Sequence, residues 1–247
     1  MIRGLDTVQR NIDIIQKKQE NLSTDAANIQ TPGYKFQQLI QSTLEEKDLV
    51  NHIGGPKLNQ KNQIGPFTFG NQIDEVYRDF TPGVIETTHS ETDLAITGDA
   101  FFTVRTPTGE TLYTRNGHFT VNQQHQLVTQ EGYPVLAVNG DPIQVYADHF
   151  SINNDGTVSG TGQRLRLTSF AEPANLTSVG DTSFTGTGGF EANNSTITQY
   201  TLEQSNVEMA DVMVDMIQIA REFESNQKVL HTIDETLQKA TNEIGKT

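Results

Sequence analysis

The sequence predicts an α+β protein: long N- and C-terminal helices forming a coiled-coil-like bundle, with a central antiparallel all-β domain between them. Three observations carry this expectation. Each terminus has an apolar seam whose spacing alternates between three and four residues. The middle shifts to Thr, Val, Phe, Gly and Asn in period-two runs, and turn dipeptides separate those runs. The expected organisation is an N-terminal axial helix and turn over 1–45, a β domain with flexible loops over 46–199, and a C-terminal axial helix over 200–247.

The N-terminal seam runs Leu5, Val8, Ile12, Ile15, Gln19, Leu22, Ala26 and Ile29. An unbroken three-four alternation is a heptad seam rather than a general amphipathic pattern. Thr31-Pro32-Gly33 ends it, because Pro disfavours a helical residue before it and Gly permits a sharp turn. The C-terminal seam is longer: Met209, Val212, Met216, Ile219, Phe223, Asn226, Leu230, Ile233, Leu237, Ala240 and Ile244, with no Pro or Gly before Gly245.

These helices could pack on the chain's own β domain. Two features favour an intermolecular role. A two-position seam is narrower than the stripe a globular helix buries. Each seam also has one polar interruption, Gln19 and Asn226, of the kind that sets register in coiled coils. The expected assembly interface is therefore Leu5, Val8, Ile12, Ile15, Leu22 and Ile29 with Val212, Met216, Ile219, Phe223, Leu230, Ile233 and Leu237.

Between the helices, strands are expected at Phe101 to Val104, Leu112 to Arg115, Phe119 to Val121, Leu127 to Thr129, Val135 to Val138 and Arg164 to Phe170. Thr108-Gly109, Asn116-Gly117, Asn139-Gly140 and Asp155-Gly156 are the turns between them. Residues 46–63, with Gly54-Gly55-Pro56 and the Asn59 to Asn62 stretch, read as a flexible connector, and 180–195 as a second loop region.

Composition excludes several classes. Apolar residues are 34% of the 247, too few for one core spread over the whole length, so part of the chain is elongated or buries its apolar face against partners. The net charge of −14 argues against nucleic acid, which needs clustered Lys and Arg. Residues 1–45 are neutral, whereas 46–199 carry eight basic against seventeen acidic groups and 200–247 four against nine. Without cysteine there are no disulfides and no thiolate metal sites. Residues 1–30 lack the apolar core of a cleavable signal, and no stretch approaches a membrane span.

No catalytic, metal or cofactor site is expected. The six histidines (52, 89, 118, 125, 149, 231) have no ligand spacing. Asn153, Asp155 and Gly156 are similar to part of a calcium loop, but Ser151 and Gly162 stand where its first and twelfth ligands belong, so an Asp-Gly turn is the reading. No G-x-S-x-G, P-loop or G-x-G-x-x-G occurs.

Four stretches carry a family resemblance. Ala27-Asn28-Ile29-Gln30-Thr31-Pro32-Gly33-Tyr34-Lys35 resembles the A-N-x-x-T-x-G-Y-K signature of bacterial flagellar rod and hook proteins. Asp93-Leu94-Ala95-Ile96-Thr97-Gly98-Asp99-Ala100-Phe101-Phe102 resembles their D-L-A-I-x-G-x-G-F-F element, with Ala100 in place of the second Gly. Tyr113-Thr114-Arg115-Asn116-Gly117-His118-Phe119 is similar to Y-T-R-x-G-x-F, and Glu203-Gln204-Ser205-Asn206-Val207 to the E-x-S-N-V that opens the last helix. A second departure is Thr198-Gln199-Tyr200-Thr201, where the family has a Gly-rich approach.

The resemblance implies a structural subunit of the flagellar basal-body rod in the cell envelope, without catalytic activity. Such proteins leave the cell through the flagellar export apparatus without a cleaved signal and polymerise helically with themselves and with other rod and hook proteins. The hook protein is the nearest rival, and its extra outer domains do not fit a middle of this length. An envelope enzyme or an adhesin is the alternative from another class, and neither accounts for four motifs in order.

Overall fold

A computed structural model describes residues 2–53, 60–68, 70–146, 150–192 and 194–244. Gly54, Gly55, Pro56, Asn59, His149 and Gly245 lie outside the described residues, as do the side chains of His52, Asn62 and Ile244. The chain is α+β and divides into two compact units, one of residues 1–24, 37–77 and 210–247, the other of 25–36 and 78–209.

In the first unit, α1 (Ile2–Ala27) is followed by β1 (Gln37–Thr43), β2 (Lys47–Ile53), β3 (Gln60–Phe67) and β4 (Asn71–Arg78). β1 pairs with β4, and β2 with β3 as a hairpin. Further along the chain, α2 (Met209–Ile244) supplies the other helix. Asp211 in its first turn complements the positive end of the helix dipole. The half-buried or buried positions of α2 are Val212, Asp215, Met216, Ile219, Phe223, Asn226, Leu230, Ile233, Leu237 and Ala240, which are the periodic residues between 212 and 240 plus one carboxylate, whereas Met209 is exposed.

α1 departs from its expected pattern. Ile14 is buried together with Ile15 and Leu22, while Gln19 is exposed. The extra buried position belongs to a second face, where Asn21 Nδ2 donates to the Gln37 carbonyl of β1 at 2.7 Å. α1 is thus wider in its burial than a two-position seam, and Gln19 is not its polar interruption. The helix ends at Ala27, before Thr31-Pro32-Gly33, in a turn closed by Thr31 N–H donating to the Asn28 carbonyl at 3.0 Å, so Ile29 lies beyond the helix.

The second unit is mostly β. It comprises β5 (Ile85–Thr87), β6 (Leu94–Thr97), β7 (Ala100–Arg105), β8 (Thr111–Thr114), β9 (Thr120–Val121), β10 (Leu127–Val128), β11 (Leu167–Ser169), β12 (Thr177–Ser178), β13 (Ser183–Thr185), β14 (Phe190–Glu191), β15 (Thr196–Gln199) and β16 (Thr201–Glu203). Six of these form a sheet in the order β12-β13-β8-β7-β11-β14; β9 pairs with β10, β6 with β15 and β5 with β16. The sheet is open at β12 and β14, so it is not a closed barrel.

Strand β7 is buried on both faces, which is why its two phenylalanines are adjacent. Phe102, with Ala100 and Val104, joins a core that includes Leu94, Ile96, Phe119, Leu127, Val135 and Ile197. Phe101 points the other way into a cluster with Phe170, Leu176 and Phe184, where its ring meets those of Phe170 and Phe184 edge to face, with centroids 6.0 and 5.9 Å away. Ala100 is fully buried in regular strand, so its Cβ is accommodated where the family signature has Gly.

Several sequence expectations change. Residues 46–63 are not a plain connector: β2 and β3 pair antiparallel from Lys47↔Phe67 to Ile53↔Gln60, with a register shift between Leu49 and Val50. Val50 and Ile64 are exposed, and apolar residues that are not on a buried face give no period-two signature to read. The second loop region contains β13 and β14, anchored at β13 by the buried Phe184. Val135 to Val138 forms isolated bridges rather than a strand.

Asn116-Gly117 is not a hairpin turn either. Gly117 has an ordinary φ, and a Cβ built on it would overlap the Leu94 carbonyl oxygen. Its own carbonyl accepts the Leu94 N–H at 3.0 Å, so two backbones touch where only hydrogen fits. Gly117→Ala should lower the free energy of unfolding by about 3 kcal/mol, read as a fall in the urea midpoint at unchanged slope. A midpoint equal to wild type would show that this contact is not tight.

Candidate functional site

The four sequence motifs converge in the second unit, on the segments that lead out of α1 and into α2. Their centre is Glu203, the last residue of β16. Its carboxylate accepts Lys35 Nζ at 2.6 Å, Arg115 Nη1 at 3.1 Å and the Gly83 N–H at 3.1 Å. The Lys35 side chain is 0% exposed, and those of Arg115 and Glu203 are 2%. Lys35 Nζ also donates to the Thr81 carbonyl at 2.7 Å, and Arg115 Nη1 and Nη2 donate to the carbonyls of Ile96 and Gly98. Carbonyl oxygens thus take up donors that one carboxylate cannot satisfy.

Burial pushes both Lys35 and Arg115 below the ordinary values of their side chains, and Glu203 opposes that shift in each. The Arg115 guanidinium also lies 5.2 Å from the centre of the Phe101 ring. The cluster is a set of charges held by mutual need: each cation tolerates burial because the carboxylate is there.

The remaining motif residues brace this cluster. Gly33, at φ 70°, is pressed against the Arg115–Asn116 peptide where no Cβ fits, and its N–H donates to the Glu203 carbonyl at 2.8 Å. Asn206 accepts the Phe36 N–H at 2.7 Å through Oδ1, and its Nδ2 donates to the Asp79 carbonyl at 2.9 Å. Thr31 Oγ1 donates to Asn28 Oδ1 at 3.0 Å. Ser205 Oγ accepts the N–H of buried Val207 at 3.2 Å just before α2 begins.

Thr114 Oγ1 donates to the Thr182 carbonyl at 2.8 Å and accepts the Asn116 N–H at 3.0 Å. His118 Nδ1 and Asp93 Oδ1 are 2.7 Å apart, with Asp93 buried. Tyr113 packs against Phe170 at 4.8 Å between ring centres. Leu94, Phe101, Phe102 and Phe119 are core. The motifs are therefore a packed junction rather than an exposed chemical site.

Tyr34 is the second polar anchor, fully buried, its hydroxyl donating to the buried Asp25 Oδ1 at 2.8 Å. Burial, then the bond to Asp25, holds the phenol well above the ordinary tyrosine value. The candidate residues read from the sequence did not include Glu203, Asp25 or Gly83. Glu203 did stand within the E-x-S-N-V motif; the signal for it was an acidic position sharing the motifs with two cations.

The seam residues lie elsewhere, in the first unit. Ile15, Leu22, Val212 and Ile219 are buried; Leu5, Val8, Ile12, Met216, Phe223, Leu230, Ile233 and Leu237 are half-buried, and Ile29, in the second unit, is half-buried too. Met213, Val214, Ile217 and Val229 are exposed on α2. Among the described residues, no group of three or more His, Asp or Glu is placed to hold a metal ion, and no helix is long and apolar enough to cross a membrane.

Two mutations probe the junction. Glu203→Gln leaves both buried cations without a counter-charge and should cost about 3–5 kcal/mol, measured by thermal or urea unfolding; a loss near zero would mean the cluster is not held by charge. Tyr34→Phe should cost about 1–2 kcal/mol at neutral pH. Because the folded pKa of Tyr34 is raised, its contribution is complete below pH about 10 and declines as pH climbs above that. The gap between wild type and Tyr34→Phe should therefore narrow in alkali; a constant gap would contradict the assignment.

The chain is similar to known proteins over nearly its whole length. Residues 95–160 match the family model described as the flagellar hook protein FlgE/F/G D1 domain, and residues 198–243 match that of the flagellar basal body rod FlgEFG protein C-terminal. The chain is similar to the flagellar basal-body rod protein FlgG of Borreliella burgdorferi, 30% identical with 98% of each chain covered. It is 32% identical to FlgG of Buchnera aphidicola subsp. Schizaphis graminum, over 96% of this chain and 95% of that one. With the rod protein FlgF of Caulobacter vibrioides it shares 30% identity over 97% and 94%.

Proposed function

This chain belongs to the flagellar basal-body rod protein family, and we propose from that premise that it is a structural subunit of the rod that assembles helically through its terminal segments. The observation that carries the assembly reading is the state of α2. Among its described seam residues only Val212 and Ile219 are buried; those from Met216 to Ala240 are otherwise half-covered, and Met209, Met213, Val214, Ile217 and Val229 are exposed. A helix this long with so little of its apolar surface covered gains stability from further helices.

In this reading the terminal segments, 1–45 and 200–247, are axial, and neighbouring subunits complete a coiled-coil-like bundle around them. The body, 46–199, carries no axial contact. Its partners are further copies of itself and other rod and hook proteins, and it reaches the envelope through the flagellar export apparatus.

Deletion of the gene should give cells that do not swim, with basal bodies whose rods are truncated and carry no hooks, seen by electron microscopy. Intact hooks and filaments would overturn the reading. Ile219→Asp or Phe223→Asp should abolish assembly by at least tenfold in rod count, because each would bury a charge without a partner, while leaving the second unit folded. Normal flagella in both variants would remove the seam from the interface.

A further inference from the structure

The two helices of the first unit touch through a polar pair in an otherwise apolar seam. Asn11 Nδ2 of α1 donates to Asn226 Oδ1 of α2 at 3.2 Å. A second point of approach fixes the direction: a Cβ built on Gly4 would lie 4.0 Å from Ile233 Cδ1. Going from Gly4 to Asn11 advances α1 by one heptad, and the partner on α2 moves back by one heptad, from Ile233 to Asn226. The helices therefore run antiparallel here, in one continuous register.

Apolar seams alone hold register weakly. On α2, Ile219, Phe223, Leu230, Ile233 and Leu237 offer similar surfaces at successive turns, and α2 at 36 residues is longer than α1 at 26. Sliding α1 by a heptad would exchange Phe223 for Met216 or Leu230, and Leu230 for Phe223 or Leu237, one apolar residue for another. The amides are matched in one register only. Asn226 is also oriented, because its Nδ2 donates to the Glu222 carbonyl at 2.9 Å, which leaves Oδ1 turned to α1 as an acceptor. One heptad of slip would set Asn11 against Ile219 or Ile233 and strand its amide, with Asn226 moved opposite Gly4 or Lys18.

We propose that the Asn11–Asn226 pair is the register pin of the α1–α2 pairing. It fixes which turns of α2 are covered by the chain's own α1 and which remain open. The register is a property of the chain itself; its bearing on assembly rests on the rod-subunit reading above. Such a pin lowers stability relative to an apolar pair and gains a single alignment.

The chain has no cysteine, so an engineered pair forms the sole disulfide. Gly4→Cys with Ile233→Cys reports the native register, and Gly4→Cys with Ala240→Cys reports a slip of one heptad. In the otherwise wild-type chain the first pair should oxidise at least tenfold faster than the second, read on a non-reducing gel. With Asn11→Leu and Asn226→Leu added, the two rates should come within about threefold, and the helices should melt no lower than before. An unchanged preference in the leucine variant would overturn the proposal. So would loss of helix by circular dichroism, because a pin costs stability and does not supply it. Failure of the Ile233→Cys pair to oxidise in the wild-type background would overturn the register. None of these readouts depends on motility, so they stand or fall separately from the rod assignment.

Discussion

One buried carboxylate organises the second unit. Glu203 meets Lys35, 168 residues away in sequence, and Arg115, 88 residues away, and either cation would be costly to bury without it. Long-range ion pairs of this kind add little net stability over an apolar core, but they accept few alternatives. Glu203 fits between those two cations and the Gly83 N–H, and the backbone of residues 33–36, 81–83 and 203–206 must come together for the fit to occur. Tight backbone contacts at Gly33 and Gly117 follow from the same convergence, since no side chain can stand between the strands that the charges draw in.

The two units differ in how they are held. The second has cores on both faces of β7, with aromatic rings edge to face, and its central charges are paired within the chain. The first has a ribbon, a two-stranded sheet and two helices whose apolar residues are largely half-buried. A subunit built this way has a self-sufficient part and a part that gains from neighbours, which suits a family whose members are parts of a larger structure.

Departures from the family signature have local physical readings. Ala100 sits in regular strand, so the second Gly of that element is not required for backbone freedom here. Tyr200 takes the left-handed conformation at φ 63° where β15 gives way to β16. Its N–H donates to the Asp93 carbonyl and its carbonyl accepts the Thr88 N–H, at 2.9 and 2.6 Å. Two backbone hydrogen bonds hold a conformation that Gly would adopt without strain.

The periodicity of α2 was legible to the residue, because a 3.5-residue repeat is a local property of the chain and burial followed it from Val212 to Ala240. The strand at 100–105 and the turn at Asp155-Gly156 were legible for the same reason. In that turn Asp155 accepts the Thr157 N–H and hydroxyl. The second face of α1 at Ile14, the β2–β3 ribbon, the close approach at Gly117 and the Asn11–Asn226 pair were not. Each depends on what another segment places opposite, and no local pattern records that. The sequence by itself determined the helices, the β character of the middle and the family. Only the tertiary structure decided that the motifs meet around Glu203, because an ion pair is a fact about distance in space between residues far apart in the chain.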